Sequence, residues 1–295
     1  MLRVATRGSS LALAQARHIA SLLGGDVELV VVETVGDKRL DVPIWEIGGR
    51  GVFVKEVQAA VLDGRADFAV HSAKDLPAVH PEGLVLAAVP EREDPRDALV
   101  GSTLDGLPAG ARVASGSVRR RAQLAWLRPD LTFSGLRGNI ETRLSKAGDF
   151  DAIVVAAAAL NRLGLADRAT ELLPPDRMLP QVGQGALALE ARAGDTPVLE
   201  ALAALDHRLT RLAVDAERAY LRELGGACDL PVGALATVDG DEIALTAILA
   251  ALDGHVVVRQ SGTGTDPEEL GRSVARQVLD EGGGAWLLEG LRGLT

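Results

Sequence analysis

The chain has 295 residues, 47% of them hydrophobic and 24% charged, with a formal net charge of −10 and one cysteine. That length exceeds what one core usually organises, so two or three domains are expected, burying roughly three quarters of the unfolded surface. The acidic balance argues against general nucleic-acid binding, and one cysteine rules out an internal disulfide, which favours a reducing, cytoplasmic compartment.

At the N-terminus, "MLRVATRGSSLALAQARHIASLL" has an apolar run broken by Gln15, Arg17 and His18, so it fails as a signal peptide and as a membrane span. Residues 3–6 read as a buried strand and 11–23 as a helix capped by Ser9 or Ser10. A strand over 27–34 and a helix over 52–62, stopped by Asp63-Gly64, form a second unit. Further strands are predicted at 68–71, 84–89, 112–114 and 153–156, with a helix at 118–126. Such alternation implies largely parallel sheets covered by helices. The proline-bearing stretches "PEREDPRDA" (90–98) and "LLPPDRMLPQ" (172–181) suit two crossings between domains, so the chain leaves one domain and returns to it. The expected division is 1–92 with 187–206, then 93–186, then 207–295. The last part reads as an antiparallel meander, 232–238, 242–250 and 255–260, turned by "VDGDE" and "LDGH" and closed by a helix near 267–280.

Several stretches carry candidate chemistry. "VATRGSS" (4–10) and "VASGSVRR" (113–120) echo one another: each runs from strand through small hydroxyl residues into a helix, with arginine at the junction. Helix N-terminal amides, hydroxyls and guanidinium groups together suit a carboxylate or phosphate, although each stretch alone also reads as an ordinary N-cap. Arg119, Arg120 and Arg121 open one helix, and Arg137 and Arg143 flank "GNIET". Three adjacent helical arginines cannot all face one way, and Arg121 is expected to point to solvent. "HSAKDLP" (71–77) sets Lys74 beside Asp75 at the end of a strand, where open α/β sheets bind ligands, while an Asp before Leu-Pro is also a turn former. "VGQGALA" (182–188) matches a dinucleotide pattern but follows a proline-rich loop rather than a strand, which rejects that reading. The single thiol, Cys228 in "LGGACDLP", follows paired glycines on what reads as a loop; a lone cysteine is more often a small core residue. Residues 35–56 are glycine-rich without a clear period, either a cover over a cleft with Arg50 and Lys55 reaching inward or a plain surface loop.

Taken in order, "HSAKDLP", "EREDPRDAL", "SVRRRAQL", "LRGNIETRL", "LNRLGL", "LPQVGQGALALE" and "GGACDLPVGA" strongly resemble the hydroxymethylbilane synthase (porphobilinogen deaminase) family, over nearly the whole chain. The resemblance implies two α/β domains similar to the lobes of type II periplasmic binding proteins, flanking a cleft, and a small C-terminal α+β domain with an antiparallel sheet. It implies a transferase that joins four porphobilinogen units head to tail, with release of ammonia, into a linear tetrapyrrole. The chain grows from a dipyrromethane primer held as a thioether by the cysteine matching Cys228. By the same resemblance Asp75 is the catalytic carboxylate. Arg7, Gln15, Ser72, Lys74, Ser115, Ser117, Arg119, Arg120, Arg137, Arg143 and Arg162 fall on positions that contact cofactor or substrate. The implied partners are porphobilinogen and pyrrole oligomers, with no nucleic acid, membrane or metal, and the implied state is a monomer. Two departures stand out: Gly225-Gly226-Ala227 replaces the family's Glu-Gly-Gly before the cysteine, and Ser115-Gly116-Ser117 replaces a Thr-Ser-Ser start. Two rival classes are a non-catalytic anion-binding protein, which leaves Cys228 and Asp75 idle, and an ordinary thiol enzyme, for which neither His207 nor His255 is an evident partner.

Overall fold

Strand β1 (Leu2–Arg7) runs parallel to β2 (Val27–Val32) on one side and to β3 (Phe68–Ser72) on the other. Beyond β3 lies β10 (Leu187–Arg192), antiparallel, and then β4 (Leu84–Ala88), giving the order β2-β1-β3-β10-β4. The computed structural model describes residues 1–34, 36, 51, 53–226 and 230–292.

A second sheet repeats this pattern. β6 (Arg112–Ala114) is parallel to β7 (Thr132–Ser134) and β8 (Ala152–Ala156), and β5 (Asp97–Val100) enters antiparallel between β8 and β9 (Glu171–Leu173). Its order, β7-β6-β8-β5-β9, is the first sheet's order with one strand again brought in by the crossing chain. The echo between "VATRGSS" and "VASGSVRR" therefore has a structural meaning, because β1 and β6 hold equivalent places.

Residues that are apolar on both sides of a strand fill the sheet centres. β8 is buried along its whole length, as are Phe68 to His71 of β3. Phe68 packs with Val4, Ile19, Leu189 and Val198 on one face of the first sheet, and Leu99, Leu124, Val154 and Met178 do the same in the second. Full burial of each such side chain contributes about 2 kcal/mol. The third sheet is the antiparallel meander β11 (Val232–Asp239), β12 (Glu242–Ala250), β13 (Val257–Gly264), covered by helices Arg208–Glu223 and Pro267–Arg276. Tyr220, fully buried there, donates its hydroxyl to Ile248 O at 2.8 Å.

Most predicted elements are present with shifted ends: the helix expected at 52–62 spans Lys55–Leu62, and the last meander strand spans 257–264 rather than 255–260. Four strands differ from expectation, β10 among them because no expected strand covers it. β5 begins inside the segment read as a crossing, and β7 and β9 are three residues each, too short to display a period. Among the described residues no helix is long and apolar enough to cross a membrane.

Candidate active site

The first sheet delivers its polar residues at the carboxyl ends of parallel strands. After β1, Ser9 caps helix Ser10–Leu23 by accepting from Ala12 N at 3.3 Å, and one turn later Gln15 Nε2 donates to Ser72 Oγ at 2.9 Å. After β3 the chain makes a single 3-10 turn, Ala73–Asp75. Pro77 holds Leu76 extended at φ −72°, ψ 136°, which ends the turn and leaves Lys74 and Asp75 at the sheet edge. Asp75 is half-buried, and its carboxylate makes no ion pair or side-chain hydrogen bond among the described residues.

The second sheet faces it with cations. Ser117 caps helix Val118–Leu127, and Ser115 Oγ accepts from Ser117 N at 3.2 Å. Arg119 and Arg120 are both buried against Asp97, at 2.8 Å and 2.7 Å, and these two guanidinium groups hold the Asp97 carboxyl well below its usual range despite its burial. Arg120 also donates to Val154 O at 3.1 Å. Arg119 donates to Leu179 O at 2.6 Å, yet its Nε and second Nη are buried without a hydrogen-bond partner among the described residues, as is Arg137 Nη1. Arg143 Nε donates to Gly138 O at 2.8 Å, and Arg162 Nη2 to Gly185 O at 2.6 Å. Burial lowers both Arg143 and Arg162 to about 10, with Arg120 pressing on the former and Asp75 opposing the shift. Both stay charged near neutral pH.

Between the two sheets lies a small cavity lined by Leu11, Gln15, Ser72 and Lys74 on one side and by Ala156 and Arg162 on the other. A larger groove, on helix Pro267–Arg276 among Glu269, Arg272 and Asp280, is open surface and shares no residue with this cleft. The crossings join the two sides. Gln184 is fully buried; its Oε1 accepts from Lys74 Nζ at 3.2 Å, and its Nε2 donates to Asp97 Oδ1 at 2.9 Å and Pro95 O at 2.8 Å. Gly185 has φ +87°, and a Cβ there would lie 2.3 Å from Glu93 O, so only glycine permits the two crossings to touch. Glu217, buried on helix Arg208–Glu223, binds Arg92 at 2.6 Å and accepts from Gly183 N and Ala236 N, which fastens the third sheet to the same junction.

Of the residues expected from the sequence, Gln15, Ser72, Lys74 and Arg162 line one cavity, and Asp75 acts electrostatically on both Lys74 and Arg143. Arg7 stacks over the Phe53 ring at 4.2 Å, and Lys55 is exposed at a helix start. Arg121 is partly exposed and makes no ion pair among the described residues. Arg50 and Cys228 lie outside the described residues; the chain approaches Cys228 through Gly225 and Gly226, at φ +96° and +70°, conformations that suit glycine. Sequence reasoning missed Asp97, Gln184 and Glu217. Gln184 alone had a signal, standing between two glycines in "VGQG".

Burial lowers the Lys74 amine to about 8, with Arg120 adding to the shift and Asp75 opposing it. Because the folded value lies below the unfolded one, the buried ammonium costs stability in full below pH 8, and the cost disappears as pH rises to about 10.5. Lys74→Met is therefore expected to be more stable than wild type at pH 7, by up to roughly 3 kcal/mol, with the gap closing by pH 10. Urea denaturation of both proteins across that range measures it; a gap independent of pH contradicts the assignment.

Comparison with known proteins follows the same outline. The family model described as "Porphobilinogen deaminase, dipyromethane cofactor binding domain" matches residues 2–200, and the C-terminal domain of the same family matches residues 211–280. A porphobilinogen deaminase of Roseiflexus castenholzii is 51% identical over 97% of this chain and 98% of its own length. One from Syntrophus aciditrophicus is 47% identical, covering 98% of each. Among solved structures, a putative methionine-binding lipoprotein from Bacillus subtilis is similar at 15% identity with a TM-score of 0.42, covering 69% of this chain and 89% of that one. With both family models in register and identity near one half along the full length, the chain belongs to the porphobilinogen deaminase family.

Proposed function

We propose that the cleft between the two α/β sheets is where this enzyme joins four porphobilinogen units into hydroxymethylbilane, with Asp75 as the catalytic carboxylate and Cys228 as the point of cofactor attachment. The observation that carries this reading is a set of buried cationic donors without hydrogen-bond partners among the described residues, Arg119 Nε and Nη2 and Arg137 Nη1, in the same cleft as a carboxylate that makes no ion pair among them. Each pyrrole unit brings an acetate and a propionate. Planar guanidinium forks match that load, so the residues fit a dipyrromethane. The dipyrromethane, when bound, supplies the primer from which the tetrapyrrole is elongated. Arg119, Arg137, Arg143 and Arg162, with Lys74, Gln15, Ser72, Ser115 and Ser117, hold carboxylates and orient the rings, and Arg7 closes the near side. Arg120, with its donors on Asp97 and Val154, supports the field rather than gripping a ligand. Asp75 accepts from pyrrole N–H groups and stabilises the positive charge that develops on the substrate as ammonia leaves. Cys228 would hold the dipyrromethane as a thioether, its thiolate supplying the electron pair to the methylene carbon from which ammonia has departed.

We place the three domains at 1–92 with 187–206, 93–186 and 207–295, and take the protein to be a cytoplasmic monomer that binds neither membrane nor nucleic acid. Intact mass tests the reading most directly. Protein made where porphobilinogen is available should be heavier than its sequence by two pyrrole units; an unmodified mass would leave the anion-binding or thiol-enzyme reading in its place.

A further inference from the structure

Glu190 is fully buried on β10 at the centre of the first sheet, and the reaction as derived gives it no task. Its Oε2 accepts from Gln58 Nε2 at 2.8 Å and lies 3.1 Å from His71 Nε2, while its Oε1 lies 2.6 Å from His80 Nδ1. Burial pushes this carboxyl upward, but the nearby His71 and the hydrogen bonds with His80 and Gln58 hold it down at about 2, so it is an anion. The two histidines bracket the turn that carries Asp75. His71 stands on β3 just ahead of Ala73–Asp75, and His80 follows Leu76 and Pro77.

On its other side His80 meets the third sheet's helix. Arg218 Nη2 lies 3.1 Å from His80 Nε2 and donates to Pro77 O at 2.9 Å and Ala78 O at 3.3 Å. A neutral imidazole has one N–H and one lone pair. Between a carboxylate and a guanidinium only one tautomer uses both, with Nδ1–H donating to Glu190 and Nε2 accepting from Arg218. The result is a continuous line of hydrogen bonds from helix Arg208–Glu223 to the middle of the first sheet. That helix leads through Leu224, Gly225 and Gly226 toward Cys228 in the sequence.

We propose that Arg218, His80 and Glu190 form a positioning relay that fixes the Asp75 turn against helix Arg208–Glu223, and so sets the placement of the catalytic carboxylate in the cleft. The inference rests on the role assigned above to Asp75. None of the three lines the cavity between the two sheets, and the role assigned to each is through the turn it holds.

The test compares wild type, His80→Ala, Glu190→Gln, their double variant and Asp75→Asn, all as holoenzyme with cofactor loading verified by intact mass. The His80 side chain is 24% exposed, and Glu190 keeps His71 and Gln58 without it, so His80→Ala should fold and load fully. Its KM should stay near wild type, since the carboxylate grips lie elsewhere, while kcat falls about tenfold, because small misplacements of a reacting group cost up to roughly 10². If the three side chains act as one line, the double variant should be no slower than the slower single variant. A kcat for loaded His80→Ala within twofold of wild type, a raised KM at unchanged kcat, or multiplying losses in the double variant each overturn the relay. Should Glu190→Gln fail to fold, Arg218→Lys takes its place in the cycle. Crippled Asp75→Asn beside normal His80→Ala sinks the relay alone, whereas normal turnover by Asp75→Asn sinks the site assignment beneath it.

Discussion

Asp75→Asn, supplied with preassembled cofactor, should lose on the order of 10²-fold or more in the rate of ammonia release. The substitution keeps the shape and removes the anion. Its amide also presents donors where pyrrole N–H groups need an acceptor. The carboxylate acts on two cations of this site: Asp75 opposes the downward shifts of Lys74, where Asp97 helps it, and of Arg143. A preorganised charge aimed at a developing charge of opposite sign is worth that much in comparable sites. Asp75→Glu keeps the anion and displaces it by about one methylene, so it should retain measurable turnover where Asn and Ala retain far less. Preassembled cofactor matters, because a variant unable to build its primer looks inactive for another reason. Single-turnover kinetics on loaded protein separates the two, and near-normal ammonia release by loaded Asp75→Asn would make the carboxylate a turn residue only.

Cys228→Ser should fold, carry little or no dipyrromethane, and show almost no activity. A serine hydroxyl is far less nucleophilic than a thiolate near neutral pH, so the capture step fails while the cleft remains intact. Among the described residues the third core closes around Tyr220, Leu245, Ile243 and Val274. The expected pattern is an unmodified mass with wild-type secondary structure, and a melting temperature below that of the loaded enzyme because the stabilisation by bound cofactor is lost. Full cofactor loading in this variant would transfer the attachment to another residue.

How much of this was legible depends on how far apart the interacting residues lie. Local signals sufficed for the caps at Ser9 and Ser117, for the turn forced by Leu76-Pro77, and for the alternation that gives two mostly parallel sheets. The motif "HSAKDLP" pointed to a strand end, and β3 does end at Ser72. The arginines pointed to an anion, but Asp97 lies 23 residues from Arg120 and was read as part of a charged crossing. Nothing local distinguishes a carboxylate destined for two buried guanidinium groups from one in solvent. Glu190 and Glu217 were invisible for the same reason, since their partners come from positions scattered along the chain. β5 reads as "DALV", four residues that are buried because other strands flank both their edges.

The place of β10 between β3 and β4 governs how the chain can assemble during synthesis. Every strand of the second sheet, β5 to β9, has been made before Leu187 is added, so that sheet can close while the first is still missing an inner member. Until β10 arrives, β3 presents an open edge along the apolar stretch from Phe68 to Val70, a template for pairing with other chains. The half that is first in sequence therefore matures second. The interval between synthesis of Ser72 and of Arg192 is the period in which a nascent chain most needs protection from aggregation.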